Sequence, residues 1–159
     1  LKELPVRKDT RLKGHDYSQA GYYFVTICVK DSHELLWGEA PVGAHSVRPL
    51  SHIGETAKKG IENISQIYDT IDVDKYTIMP NHLHMILRIK ASGRTLCAPT
   101  TVSNVVKQYK EYITKQIGFS IWQKSFHDHI IRTEAEYQKI WQYIDQNPAR
   151  WADDCYFAK

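Results

Sequence analysis

Residues 71–89 decide the fold: Ile71-Asp72-Val73-Asp74-Lys75-Tyr76-Thr77-Ile78-Met79, then Pro80-Asn81, then His82-Leu83-His84-Met85-Ile86-Leu87-Arg88-Ile89. The first nine residues alternate in the two-residue period of a half-buried strand. Pro80-Asn81 is a turn signal. The last eight are a short, mostly apolar run of the length of an interior strand. Two strands this close in sequence pair as an antiparallel hairpin.

The chain on either side gives this hairpin its partners. Residues 21–30, GYYFVTICVK, are aromatic and β-branched and read as a strand. Residues 31–50 read as loop, with a short strand expected at Glu34–Trp37 and with Pro41 and Pro49 favouring a connection. Residues 51–69 read as a helix capped by Ser51, in which Ile53, Ala57, Ile61 and Ile64 form one apolar stripe. A second helix spans 101–117 and ends at Gly118, with Val102, Val105, Val106, Tyr109, Tyr112 and Ile113 facing inward. A strand follows across Phe126–Arg132. Thr133 then opens a third helix with a capping-box pattern that runs to about Asn147, before Pro148. Trp151 and Phe157 are expected to dock back on the core. The order β-α-β-β-α-β-α predicts an α+β fold, a ferredoxin-like split βαβ sandwich with an antiparallel sheet and one added C-terminal helix. Residues 1–20 read as a basic arm and residues 21–159 as one domain.

Composition narrows the function classes. The 159 residues are 42% hydrophobic and 25% charged, enough for a packed core and too apolar for global disorder. No run of 18 apolar residues suggests a membrane span. No apolar signal core follows the basic start LKELPVRKDTRLKG, so a cytoplasmic protein is expected. Cys28, Cys97 and Cys155 are odd in number and widely spaced, which suggests neither a zinc knuckle nor a disulfide framework. They are expected to be reduced, with Cys28 in the core. The net charge of +3 says little, but the cations cluster. Lys2, Arg7, Lys8, Arg11 and Lys13 lie in the arm, and Lys107, Lys110, Lys115 and Lys124 in a second stretch. Both suit phosphate contacts and equally suit solvated surfaces.

Two segments carry chemistry. On a strand, His82 and His84 project to one face while Leu83 enters the opposite layer. Two adjacent imidazoles can hold a divalent metal if a third group joins them, although an isolated His-X-His also fits two surface histidines. On a helix, Tyr143 and Asn147 are four residues apart and share a face. The Asn147 carbonyl suits magnesium or manganese. The Tyr143 phenol can act as a covalent nucleophile, or simply pack its ring and leave its hydroxyl wet.

The ordered set MPNHLH, WQKSFHDHIIR and YIDQNPARW, with the RLKGHDY arm, resembles the single-tyrosine HUH transposases. The nearest likeness is to the branch associated with repetitive extragenic palindromes, and it runs from Arg11 to Trp151. The resemblance implies a metal-dependent enzyme that cuts single-stranded DNA at the foot of a hairpin. The tyrosine stays linked to the 5′ end, and a second 3′ hydroxyl later displaces it. It implies Tyr143 as nucleophile, His82 and His84 as metal ligands and Asn147 as third ligand, with magnesium or manganese as the cation. The partner it implies is single-stranded DNA bearing a hairpin or palindromic repeat, in a bacterial, nucleoid-associated setting. Relatives of the insertion-sequence type form homodimers that share sites, while the palindrome-associated branch can act as monomers, so the resemblance leaves a homodimer open.

Other residues compete for these roles. His127-Asp128-His129 is a second His-X-His on an expected strand, with Asp128 facing the other way. Tyr109 and Tyr112 rival Tyr143 as nucleophile. Gln116, one turn after Tyr112, keeps that residue in play. DNA contacts are expected from Arg7, Lys8, Arg11 and Lys13, from Lys107 and Lys110 beside Tyr109 as a charged stacking surface, and from Arg132 at the end of the strand near the site. The alternatives to a transposase are an inactive protein that only binds DNA hairpins and a metal phosphoesterase that releases a hydrolysed product.

Overall fold

A computed structural model describes residues 11–40, 42, 48–91 and 100–157. Arg7, Lys8, Pro41 and Cys97 lie outside these described residues. The elements are β1 (Gly21–Cys28), α1 (His52–Ile67), β2 (Ile71–Ile78), β3 (His82–Ile89), α2 (Val102–Ile117), β4 (His127–Ile131) and α3 (Glu134–Gln146). Short 3₁₀ turns cover Lys30–Ser32 and Pro148–Asp153. The sheet order is β2-β3-β1-β4, with every neighbouring pair antiparallel. That is the expected split βαβ plan, with β1 and β3 central.

Strand parity divides the side chains between two faces. Tyr23, Val25, Ile27, Leu83, Met85, Leu87 and Ile89 join α1 and α2 in the main core. The α1 and α2 backbones approach closely at Gly60, where a Cβ would lie 2.9 Å from both Tyr109 and Ile113 side-chain atoms. The opposite face carries α3 over a smaller cluster of Ile86, Ile131 and Ile144. His82 and His84 belong to this second face, because each alternates with the core residue Leu83.

The caps follow the sequence. Ser51 Oγ accepts from the Gly54 amide, and Thr133 Oγ1 from the Glu136 amide. Gly118 adopts the left-handed φ of 88° that closes α2. The Glu136 carboxylate reaches the Arg132 amide at 2.9 Å, one residue before the cap, so the capping box is displaced by one position.

Two expectations change. Glu34–Trp37 does not form a strand; Trp37 makes a single isolated bridge with Leu50. Its indole donates instead to the Ile78 carbonyl at 2.7 Å, fixing this loop beside the β2–β3 turn. β2 does not alternate throughout, since its register with β3 slips between Val73 and Lys75. The slip leaves Asp74 as an extra residue and moves the apolar set from Ile71 and Val73 to Tyr76 and Ile78, as a β-bulge does. It also lets β2 grip α3. Asp74 accepts from the Tyr137 hydroxyl at 3.1 Å, and Lys75 pairs with Asp145 at 2.6 Å and lies 3.8 Å from the Trp141 ring centre.

Candidate metal and tyrosine site

The site begins at the β3 start. His82 pairs across the sheet with Cys28, and His84 with Thr26 on one side and Thr77 on the other. Both imidazoles are essentially fully buried. Burial disfavours their charged forms. It pulls His82 down to about 4, against a smaller opposing pull from Asp154, and pulls His84 well below the usual imidazole range, with His82 adding to the fall. Both rings are therefore neutral at pH 7, the form a metal needs.

Neighbouring groups fix which nitrogen carries the proton. The Asn81 amide nitrogen donates to the carbonyls of Tyr156 at 2.8 Å and Ser32 at 3.3 Å. That orientation turns Asn81 Oδ1 toward His82 Nδ1 at 2.9 Å. An amide oxygen can only accept, so His82 Nδ1 holds the hydrogen and Nε2 presents a lone pair. His84 Nδ1 lies 2.8 Å from the Thr26 hydroxyl, which can donate or accept and so supports either tautomer of that ring. The two Nε2 atoms are 3.0 Å apart. With no cation, His84 Nε2 donates to His82 Nε2. With Nδ1 of each ring carrying the hydrogen, both Nε2 lone pairs would be free to hold a divalent cation.

α3 supplies the remaining expected groups. Tyr143 Oη lies 3.4 Å from His84 Nε2, and its ring packs edge-on against Phe24. Asn147 is buried at the end of α3, and its Nδ2 donates at 2.6 Å to Asp154 Oδ2. Asp154 follows the 3₁₀ turn, and its side chain is fully buried. Its Oδ2 sits 3.9 Å from His82 Nε2 and 3.5 Å from Tyr143 Oη. Its Oδ1 accepts from the Tyr156 amide at 2.7 Å, and the Tyr156 ring lies 4.4 Å from His82, centre to centre. Burial first, then the charges of Asp154 and Cys155, push the Tyr143 phenol up to about 12.

The donor set fits a divalent cation. One atom each from His82, His84 and Asp154 falls within 4.8 Å of the others. The Asn147 Oδ1 atom is buried with no hydrogen-bond partner, an uncompensated acceptor at the rim of this cluster. Two neutral nitrogens with a carboxylate oxygen suit a divalent cation. A cleft of about 290 Å³ opens beside them, lined by Tyr143, Asn147, Arg150 and Asp154 among others.

The expected residues divide sharply. His82, His84, Tyr143 and Asn147 come together. Tyr109 and Tyr112 lie on α2, across the sheet. Tyr109 is buried with its hydroxyl donating to the Ala57 carbonyl at 3.1 Å, so it offers no stacking surface to Lys107 and Lys110. Tyr112 packs on the same main core. His127 and His129 are on the imidazole face but exposed, and His129 pairs with Glu136. Asp128 faces the core side, 3.8 Å from Arg11. Arg132 lies beyond the far end of β4, roughly 16 Å along the strand from His127, and not near the site. Lys13 is exposed in the arm.

The sequence reading missed Asp154, Asn81, Thr26 and Tyr156. Asp154 left only a shared signal: two acids, Asp153 and Asp154, lie between Trp151 and Tyr156-Phe157, in a segment expected to dock inward. Buried acids need partners. Asn81 read only as a turn residue, and Thr26 depends on strand register, which one sequence does not supply.

No model of a known protein family matches the chain. A protein of Haemophilus influenzae described as uncharacterized is 31% identical over 168 residues, an alignment that spans 93% of this chain and 91% of that protein. Among solved structures, a REP-associated tyrosine transposase bound to a REP hairpin superposes with a TM-score of 0.64 at 19% identity. The match covers 86% of this chain and 72% of that one. At that identity the likeness concerns the fold.

Proposed function

The chain belongs to the same family as the Haemophilus influenzae protein, and we propose that it is a metal-dependent transposase and endonuclease for single-stranded DNA, cleaving and rejoining strands near hairpins through Tyr143. The observation that carries this reading is the Tyr143 hydroxyl poised 3.4 Å from the buried imidazole pair, on the sheet face that α3 covers. A fold shared with a REP-associated tyrosine transposase bound to a REP hairpin supports hairpin DNA as the partner.

His82, His84 and Asp154 would hold the cation, with Asn147 fixing the Asp154 carboxylate and offering Oδ1 as a further oxygen. A bound magnesium or manganese ion would polarise the scissile phosphate and offset its charge. Arg150, lining the same cleft, is placed to take a phosphate oxygen. Tyr143 Oη then attacks phosphorus: the O–P bond forms, the phenol loses its proton, and the bond from phosphorus to the 3′ oxygen breaks. That oxygen leaves as a hydroxyl, and the 5′ phosphate stays on Tyr143. An incoming 3′ hydroxyl reverses the step and joins a new strand. The high affinity of Tyr143 for its proton keeps the nucleophile idle until positive charge reaches the site.

The test is incubation of the protein with a labelled single-stranded hairpin and manganese. A detergent-stable protein–DNA adduct, lost in Tyr143→Phe and on chelation, is the expected result. Binding without an adduct in the unaltered protein would identify a hairpin-binding module. Hydrolysis that survives Tyr143→Phe would identify a phosphoesterase.

A further inference from the structure

A second concavity lies outside the metal site. It is a cleft of about 790 Å³ between α2 and the segment leading into β4. Among the described residues six cations line it, Arg11, Lys30, Lys107, Lys110, Lys115 and Lys124, against the single acid Glu111. Lys110 braces the wall, since its ammonium donates to the Gln123 carbonyl at 2.8 Å and the Ser125 carbonyl at 3.1 Å. Lys107, Lys115 and Lys124 stay exposed along the rim. The floor is aromatic: Trp122 and Phe126, with the Arg11 guanidinium 4.3 Å above the Phe126 ring centre. Trp122 is 3% exposed, and its indole nitrogen has no hydrogen-bond partner.

The groove is on the α2 side of the sheet, but its outer wall leads to the imidazole pair. Trp122 bridges to Val29, and the Gln123 amide donates to the Cys28 carbonyl at 2.9 Å. Cys28 in turn faces His82 across β1 and β3. Two residues further along β1, His127 faces Thr26, which faces His84. The wall is therefore two strand spacings, about 10 Å, from the metal-site histidines.

We infer that this groove holds the unpaired DNA strand next to the hairpin and leads it around the β4 edge to the site, an inference that rests on the transposase reading above. Charge complementarity favours a polyanion. Its volume accommodates a short length of single strand, within the range of about 300–1,000 Å³ that encloses small-molecule-sized groups. A positively charged groove that tracks the backbone is a usual surface for single strands.

The test uses the full chain, with Lys107→Glu, Lys115→Glu and Lys124→Glu combined, and Lys59→Glu on exposed α1 surface as control. Fluorescence anisotropy is read with three DNA probes: a hairpin with an unpaired flank, the same hairpin blunt-ended, and the unpaired strand alone. Thermal melting verifies folding. The triple variant should bind both unpaired-strand probes at least about tenfold more weakly. Its log affinity against log salt slope should drop by about 2, near 0.7 for each phosphate no longer neutralised. Blunt-hairpin binding should hold, and adduct yield at saturating flanked DNA should persist. Equal weakening on the blunt hairpin would place the stem in the groove and overturn the proposal, as would unchanged binding of the unpaired strand. Absence of an adduct from the unaltered protein would instead sink the transposase reading.

Discussion

On the α1–α2 face, 22 buried apolar residues among those described form a continuous core, whereas the α3 face buries only Ile86, Ile131 and Ile144 as its apolar cluster. The polar residues buried on that face are instead His82, His84, Thr26, Thr77 and Asn147, with Asn81 at the turn before β3. One sheet thus carries a stabilising side and a chemical side. Buried polar groups contribute little net stability and are costly when unpaired. The chemical face must therefore be held by the other one, and by a few ties at its rim such as Asp74 to Tyr137 and Lys75 to Asp145. Substitutions on the two faces should fail in different ways.

The largest effect should come from the core face. Ile113→Ala, fully buried where α2 meets α1, should lower unfolding free energy by about 2–5 kcal/mol in urea titration. The fraction still folded should keep the affinity for manganese. Loss of metal binding in folded protein would show that the two faces are not separable.

Acid should expose the chemical face. Burial holds His82 at about 4 and His84 well below normal, while the unfolded chain titrates near 6.5. Below 6.5 the unfolded state binds more protons than the folded one, so stability is full above that pH and falls progressively toward about 4. The melting temperature of metal-free protein should drop by roughly 5 °C or more across this window. His82→Gln should flatten the dependence, and an equally steep curve in that variant would assign it to other groups.

Thr26→Val keeps the shape of the side chain but removes the hydroxyl that lets His84 adopt the metal-binding tautomer. Calorimetric affinity for manganese should fall about 10–100-fold, the usual cost of losing a group that orients a ligand. Unchanged affinity would mean that His84 needs no such partner. The smallest effect should be Lys75→Ala, at about 1 kcal/mol. Its ion pair with Asp145 is half exposed and screened, leaving mainly the Trp141 contact. A much larger loss would make this tie the main anchor of α3.

The core face was the more legible in sequence, because periodicity encodes burial. The stripe of Ala57, Ile61 and Ile64 enters the core as read, and so does Leu83, joined there by Met85 and Leu87. The β2 bulge was not legible, because residues 71–79 read as simple alternation. On the chemical face, His82, His84, Tyr143 and Asn147 were legible through motif spacing. Asp154 was not, because it reaches the histidines through a turn and not a regular element. Thr26 and Asn81 act through register and amide orientation, which exist only once the strands pair. Arg132 shows the opposite error: nearness in sequence to His127 placed it by the site, while the extended strand carries it away.

The most direct test of Tyr143 as nucleophile is to trap the protein–DNA adduct with a hairpin substrate and manganese, digest it, and locate the nucleotide-bearing peptide by mass spectrometry. The remnant should sit on Tyr143, in the peptide that contains Asp145 and Asn147. A remnant on Tyr112, Tyr156 or any other residue would contradict the assignment.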